Sequence, residues 1–382
     1  MKVLILSPSL SSRGGIQRYT ATLQRALEDE FGKAAVACIF LPGPNGAEHA
    51  SRLTTRSKFG FGCHAITQTA RWRPDLIICT HLALGPIGWL SATYGRCPYW
   101  VVVHGIEAWA TLSHHKLIAL RHADRVLATS VFNQQQVTER QRIDAQKMAR
   151  LPCTLDDTLL AMQPSSDGLF GRSSSRTRVI LTVARMSASE RYKGHDIVLR
   201  ALPAVLAKHP EVVYAVVGDG DDKRRLQALA ANLGISQHVL FTGQATDSEL
   251  ATLYNGSEVF VLPARTVLDP HVPKGEGFGI VFLEAMAFGK PVIAPDYGAP
   301  AELIQHGTHG ILVNPENPAA VADAILTLLN NPEMAQRMGQ AGKQWVSQNY
   351  SYTRFRERLR EILASSFPSQ IAPGAVVTHA HS

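Results

Sequence analysis

The feature that most narrows the fold of this chain is an alternation, running from the first residue, between short apolar, β-rich runs and stretches with helical spacing. In the first half the runs are Val3–Leu6, Val36–Phe40, Leu76–Cys79, Trp100–Val103 and Val126–Ala128, separated by helical stretches such as Ile16–Glu28 and Ser130–Arg140. A second series comprises Val179–Val183, Val212–Val217, Val239–Phe241, Val259–Leu262, Val292–Ala294 and Ile311–Val313. Alternation of this kind builds a parallel sheet covered by helices, and two series predict two such sheets. The 382 residues fit two domains of common size. Between the series, Asp156–Arg178 holds Pro164, Gly168, Gly171 and the Ser173–Ser175 run, a composition that reads as an interdomain linker.

The expected organisation is therefore a first domain over residues 1–165 and a second over 171–348. A C-terminal helix over 349–366, carrying Arg354, Arg356, Arg358 and Arg360, is expected to pack back on the first domain, and residues 367–382 form a Pro- and Ser-containing tail expected to fray.

Several classes of function are excluded at this level. Met1–Leu10 lacks the apolar core of a secretory signal and reads as a first strand. No run approaches the roughly 20 apolar residues of a membrane-spanning helix. The five cysteines, Cys38, Cys63, Cys79, Cys97 and Cys153, are scattered and form no C-x-x-C pair, against both a disulfide framework and a zinc site. A reducing cytoplasm is the expected location. The net charge of +7 lies in the first half, where residues 1–170 carry 18 Lys/Arg against 12 Asp/Glu. There Arg52, Arg56, Lys58, Arg71 and Arg73 surround Phe59, Phe61 and Trp72, a mixture suited to an anionic membrane surface or a phosphate-bearing acceptor, though equally typical of a solvated face. No nucleic-acid-binding motif accompanies this charge.

The strongest chemical signal is the run Lys274-Gly275-Glu276-Gly277-Phe278-Gly279-Ile280-Val281-Phe282-Leu283-Glu284, which continues through a helix to Gly289. Glu276 precedes the helix, predicted to open near Phe278, and Glu284 lies inside it. The backbone N–H groups of Gly277, Phe278, Gly279, Ile280 and Val281, at the positive end of the helix dipole, suit a phosphate. Carboxylates repel a phosphate but accept hydrogen bonds from hydroxyls beside it. A single ligand made of a sugar, a diphosphate and a ribose satisfies all three elements. Either glutamate alone is as well explained by ordinary helix positions; the whole run is not.

In this run the chain resembles the retaining family-4 glycosyltransferases of the GT-B fold, whose E-x7-E motif is met by Glu276 and Glu284. The resemblance covers nearly the whole chain. It implies two Rossmann-like α/β domains facing each other across a donor and acceptor cleft, with Glu276 on the hydroxyls of the transferred sugar and Glu284 on the nucleotide ribose.

Arg185 follows the first strand of the second domain, and Lys193 lies just before a helix in Glu190-Arg191-Tyr192-Lys193-Gly194. Cations at a strand's carboxyl end are placed to neutralise a diphosphate, and the resemblance implies that role for both. Gly14 and Gly15 fill the turn after the first strand, where small residues allow close approach to a ligand or make a plain tight turn. In the family such a pair approaches the donor. The turn is not G-x-G-x-x-G, so the dinucleotide fingerprint is missing. His104 follows Val101–Val103, and the resemblance implies contact with the transferred sugar near its reacting carbon; His81, after Leu76–Thr80, is a weaker candidate. Gly218-Asp219-Gly220-Asp221-Asp222 contains a D-x-D, read as a helix cap and not as a metal site.

The expected activity is metal-independent, retaining transfer of a hexosyl group from a UDP- or GDP-sugar to a saccharide or polyprenyl-diphosphate-linked acceptor, as in exopolysaccharide or lipopolysaccharide assembly. No cofactor beyond the donor is expected, and peripheral contact with an anionic membrane is. A nucleotide-sugar epimerase and a non-catalytic nucleotide-sugar-binding subunit are the rival readings. A dinucleotide dehydrogenase is disfavoured by the missing fingerprint.

Overall fold

The computed structural model describes residues 1–8, 14–41, 58–155, 157–162 and 177–371. Twelve strands form two six-stranded sheets. The first contains β1 (Val3–Ser7), β2 (Val36–Phe40), β3 (Leu76–Cys79), β4 (Tyr99–Val103), β5 (Arg125–Ala128) and β6 (Met148–Arg150), ordered β2-β1-β3-β4-β5-β6. The second contains β7 (Arg178–Val183), β8 (Val212–Val217), β9 (Val239–Gly243), β10 (Val259–Val261), β11 (Val292–Pro295) and β12 (Gly310–Val313), ordered β12-β11-β10-β7-β8-β9. Every pairing within both sheets is parallel.

The local reason is visible in β1. All five of its residues are buried, and alternate side chains enter different cores, Val3 and Ile5 one and Leu4 and Leu6 another. A strand covered on both faces needs continuous apolar sequence, which is what made these strands readable. The exception is β6, absent from the sequence expectation: it has three residues, ends in the exposed Arg150 and lies at the sheet edge.

The helix Tyr352–Ser366 lies against the first domain. Phe355, Leu359 and Leu363 recur every four residues, so they share one face, and they are buried in the same core as Leu23 and Leu27 of the helix Gly15–Phe31. Phe355 meets Tyr19 edge-on at 5.8 Å, Arg25 stacks over Tyr352 at 4.0 Å, and the Tyr352 hydroxyl donates to Asp29 at 2.7 Å. The chain thus crosses to the second sheet and returns.

Two expectations need correction. Within the stretch read as linker, Asp157–Ala161 is helical and Leu159 is buried in a core, because a helix of little more than one turn is too short to show a periodic signal; most of that stretch, 163–176, lies outside the described residues. Of the aromatic residues in the basic cluster, Phe61 is core and Trp72 is half-buried, while Phe59 is 82% exposed. Arg52 and Arg56 lie outside the described residues, as do 372–382 of the tail expected to fray; its first residues do not fray, since Phe367, 6.0 Å from Trp100, and Ile371 are buried in the core. Among the described residues no helix is long and apolar enough to cross a membrane.

Candidate active site

The chain leaves β7 toward β8 on one side and later places β10 on the other, so the carboxyl ends of β7 and β10 flank a switch in direction. Crevices of this kind are where open α/β sheets bind ligands. The segment after β7 carries Arg185 and Lys193; the segment after β10 carries Glu276 and the glycine-rich loop.

Lys193 Nζ donates to Glu276 Oε1 at 2.5 Å and lies 4.0 Å from Glu190 Oε2. Arg185, 73% exposed, is anchored to the other oxygen of Glu190. Glu190 therefore holds two cations at the edge of the cleft, a function that its place in the sequence did not disclose. The neighbouring groups respond to this charge. His195, beside Lys193, is pushed down to about 4 by burial and then by the lysine. Burial, followed by the charges of Glu276 and Glu190, pushes the Tyr192 hydroxyl up. Gly194 turns the chain from Lys193 into the helix His195–Leu206 with φ 81°, and a β-carbon there would lie 2.3 Å from the Pro263 carbonyl oxygen. Only glycine permits that approach.

The helix expected near Phe278 opens at Ile280 and runs to Ala287, with Gly279 left-handed at its N-cap (φ 98°). The Phe278 ring is buried and faces Tyr350 at 5.9 Å, so this residue, like Ile280 and Val281, offers the cleft backbone and not side chain. Among the described residues, none accepts a hydrogen bond from the backbone N–H of Gly277, Phe278, Gly279, Ile280 or Val281. Unpaired donors at a helix start attract an anion.

Inside that helix Glu284 is 2% exposed. Its Oε2 accepts from the Tyr254 hydroxyl at 2.9 Å, and its Oε1 accepts from Arg18 Nη1. Arg18 belongs to the first domain, one turn into the helix that Gly14 and Gly15 open. Neither Arg18 nor Tyr254 was singled out by sequence, since each reads as an ordinary member of an amphipathic helix. Gly14 is extended, and among the described residues no atom lies within 4 Å of where a Gly15 β-carbon would be.

The first domain contributes His104 at the end of β4. Its Nε2 is 2.8 Å from the Thr80 carbonyl oxygen, which can only accept, so Nε2 carries the proton and Nδ1 is the ring's acceptor. Burial lowers its pKa, with Glu107 opposing, and the ring is neutral at pH 7. Tyr19 meets it edge-on at 5.2 Å. His81 stacks beside it at 6.2 Å, but its Nδ1 accepts from Ala83 N at 3.0 Å, a capping bond.

The two domains touch through backbone at this point. A β-carbon on Gly277 would lie 1.5 Å from the His104 carbonyl oxygen. Thr129 and Ser130 hydroxyls donate to the Gly277 carbonyl at 3.2 and 2.9 Å, and Glu302 accepts from the backbone N–H of Val131 (2.9 Å) and Phe132. His104 is thus brought beside the glutamate loop, Lys193 onto Glu276 and Arg18 onto Glu284. Arg185 remains with Glu190 in its own segment.

The D-x-D segment behaves differently from its expected role. Asp222 stands at the N-cap position but makes no capping bond; its carboxylate pairs with Arg225 at 2.6 Å and Arg191 at 2.8 Å, and Arg225 first among these holds it below the usual carboxylate range. Two guanidiniums outcompete backbone N–H groups for a buried carboxylate. Asp221 accepts from Ala188 N at 2.7 Å. Among the described residues there is no cluster of three or more His, Cys, Asp or Glu side chains able to hold a metal ion.

Known proteins share the sequence pattern and the fold of both domains. The family described as Glycosyltransferase Family 4 matches residues 13–159, and that described as Glycosyl transferases group 1 matches residues 171–345. The chain is 29% identical over 378 residues to the GDP-mannose-dependent alpha-(1-6)-phosphatidylinositol monomannoside mannosyltransferase of Mycolicibacterium smegmatis, spanning 92% of this chain and 95% of that one. To the Mycobacterium tuberculosis protein of the same name it is 35% identical over 187 residues, 48% of this chain and 47% of that protein. Among solved structures, Anabaena HepE in complex with UDP-glucose matches with a TM-score of 0.74 at 21% identity, over 96% of this chain and all (100%) of the other. Sucrose-phosphate synthase from Thermosynechococcus elongatus matches with a TM-score of 0.75 at 22% identity, over 97% and 100% of the respective chains. These two likenesses establish the GT-B architecture. With both domains matched in sequence and the fold shared over nearly its whole length, the chain belongs to glycosyltransferase family 4 and is a glycosyltransferase.

Proposed function

We propose that this enzyme moves a hexosyl group, with retention of anomeric configuration, from a nucleotide diphosphate sugar to a lipid-linked hydroxyl acceptor at an anionic membrane surface. The observation that carries the reading is the juxtaposition of Lys193, Glu276 and the unpaired N–H groups of Gly277–Val281. A diphosphate lies on those donors between Arg185 and Lys193, the sugar hydroxyls face Glu276, and the ribose faces Glu284. GDP-mannose is the first donor to test, because the mycobacterial relatives named above use it. UDP-sugars are the alternative.

In the transfer step the anomeric carbon–oxygen bond to the diphosphate breaks and a bond to the acceptor oxygen forms on the same face. The acceptor proton passes to the departing phosphate oxygen. Arg185, Lys193 and the helix start stabilise the negative charge that develops there, the form of catalysis with the largest usual effect. His104, neutral and with Nδ1 as acceptor, receives a hydrogen bond from a sugar hydroxyl and orients the ring. Domain closure assembles these groups and excludes water.

The membrane part of the reading is supported by Leu90 and Tyr94, one helical turn apart and 51% and 64% exposed, and by exposed Phe59 on the neighbouring helix Lys58–Trp72. Arg71, Arg73 and Arg96 are exposed at the ends of these two helices. Exposed apolar side chains on a helix pair that carries arginines at one end suit an anionic bilayer.

The test is transfer of labelled sugar from GDP-mannose, UDP-glucose, UDP-galactose and UDP-N-acetylglucosamine to lipid extracted from phosphatidylinositol-containing or polyprenyl-phosphate-containing vesicles. Product is expected with one donor, and Lys193→Met is expected to lower kcat by a factor on the order of a hundred or more. Undiminished turnover in that variant, or no nucleotide-sugar bound by the wild type, overturns the reading.

A further inference from the structure

We propose that Arg18 is a positioning residue for ribose recognition: it holds the Glu284 carboxylate from across the cleft, so the ribose hydroxyls are recognised in full only when the domains close. This rests on the reading of Glu284 as the ribose carboxylate.

Glu284 lies among Phe282, Leu283, Ala285 and Met286, all buried. A carboxylate in such surroundings stays ionised only with a charge partner and good hydrogen bonds. Its own domain supplies Tyr254, a fully buried neutral donor from the helix Asp247–Gly256 whose hydroxyl is kept protonated by burial and by Glu284 itself. A cation comes from the opposite domain, from Arg18 on the helix Gly15–Phe31. A guanidinium is planar with donors in a fixed fork, so it fixes the carboxylate plane as well as its charge. A carboxylate has several lone-pair sites, so ligand hydroxyls can bind beside Arg18 without displacing it.

The pair spans elements rooted in different sheets. Opening the cleft withdraws the partner that orients Glu284, and closing it restores the acceptor geometry. Ribose binding and closure then favour each other, as two events sharing one interaction must.

The experiment is calorimetric binding of GDP and UDP, each with its 2′,3′-dideoxy form, to the full chain as wild type, Arg18→Ala, Arg18→Lys and Lys193→Met. For whichever base binds, the wild type is expected to prefer the ribose form by about tenfold or more. Arg18→Ala collapses that preference to within about twofold by weakening the ribose form alone, and Arg18→Lys, with charge but no fork, falls between. Lys193→Met weakens both forms equally and keeps the ratio. A wild type that binds no nucleotide or shows no ribose preference overturns the reading of Glu284. A wild-type preference retained in Arg18→Ala overturns the role of Arg18 alone. If thermal melts show Arg18→Ala to be unfolded, Arg18→Lys and Arg18→Gln decide, and an unchanged ratio in both overturns the proposal.

Discussion

Gly277→Ala gives the sharpest test of how the two domains meet. The added carbon would lie 1.5 Å from the His104 carbonyl oxygen and 2.6 Å from its carbon. Both are backbone atoms at the end of a buried strand, so no side chain can rotate away. Ordinary contact begins at 3.4 Å, which leaves a separation of 3.4 − 1.5, or about 1.9 Å, to be made by moving one domain from the other. A shift of that size breaks the hydrogen bonds from Thr129 (3.2 Å) and Ser130 (2.9 Å) to the Gly277 carbonyl. At about 1 kcal/mol each they contribute roughly 2 kcal/mol to the closed form, a factor of about thirty in population. Expected results are a fall in kcat of at least about thirtyfold and a larger radius of gyration in small-angle X-ray scattering, with helix content unchanged. Wild-type turnover with an unchanged radius of gyration in Gly277→Ala would refute the argument from contact.

Three further outcomes follow from other parts of the molecule. His195 is depressed from the ordinary 6.5 to about 4 by burial, so between those values the unfolded chain binds the extra proton and stability falls as pH falls; the loss of about 3 kcal/mol from pH 7 to pH 4 is expected to be smaller in His195→Asn, measured by urea unfolding across pH. Phe355→Ala removes a ring buried against Tyr19 and is expected to cost about 3–5 kcal/mol in the same assay; a change below about 1 kcal/mol would mean that the C-terminal helix does not stabilise the first domain. Leu90→Glu/Tyr94→Glu, at exposed positions, is expected to reduce flotation with phosphatidylglycerol vesicles several-fold without changing the melting temperature, and equal flotation would remove that face from membrane binding.

The strands were legible wherever burial on both faces demanded unbroken apolar sequence, as in β1 and β8, and illegible in β6, whose three edge residues escape that demand. The glutamate loop was legible because glycine, acid and helix start occur together in one continuous segment. Glu190 was not, because its effect depends on Arg185 and Lys193 folding back over it. The D-x-D was misread at Asp222 for a similar reason. A capping position is local, while Arg191 lies 31 residues away in sequence.

By itself, then, the sequence determined the two sheets, the helix start that offers its N–H groups, and the acids on either side of it. These follow from periodicity and from interactions within a few residues. The tertiary structure alone decided that Arg18 serves Glu284, separated from it by 266 residues, and that Gly277 must lack a side chain because the other domain's backbone occupies the space. Such facts come from packing distant segments at van der Waals contact, and residue order along the chain does not encode them in any local pattern.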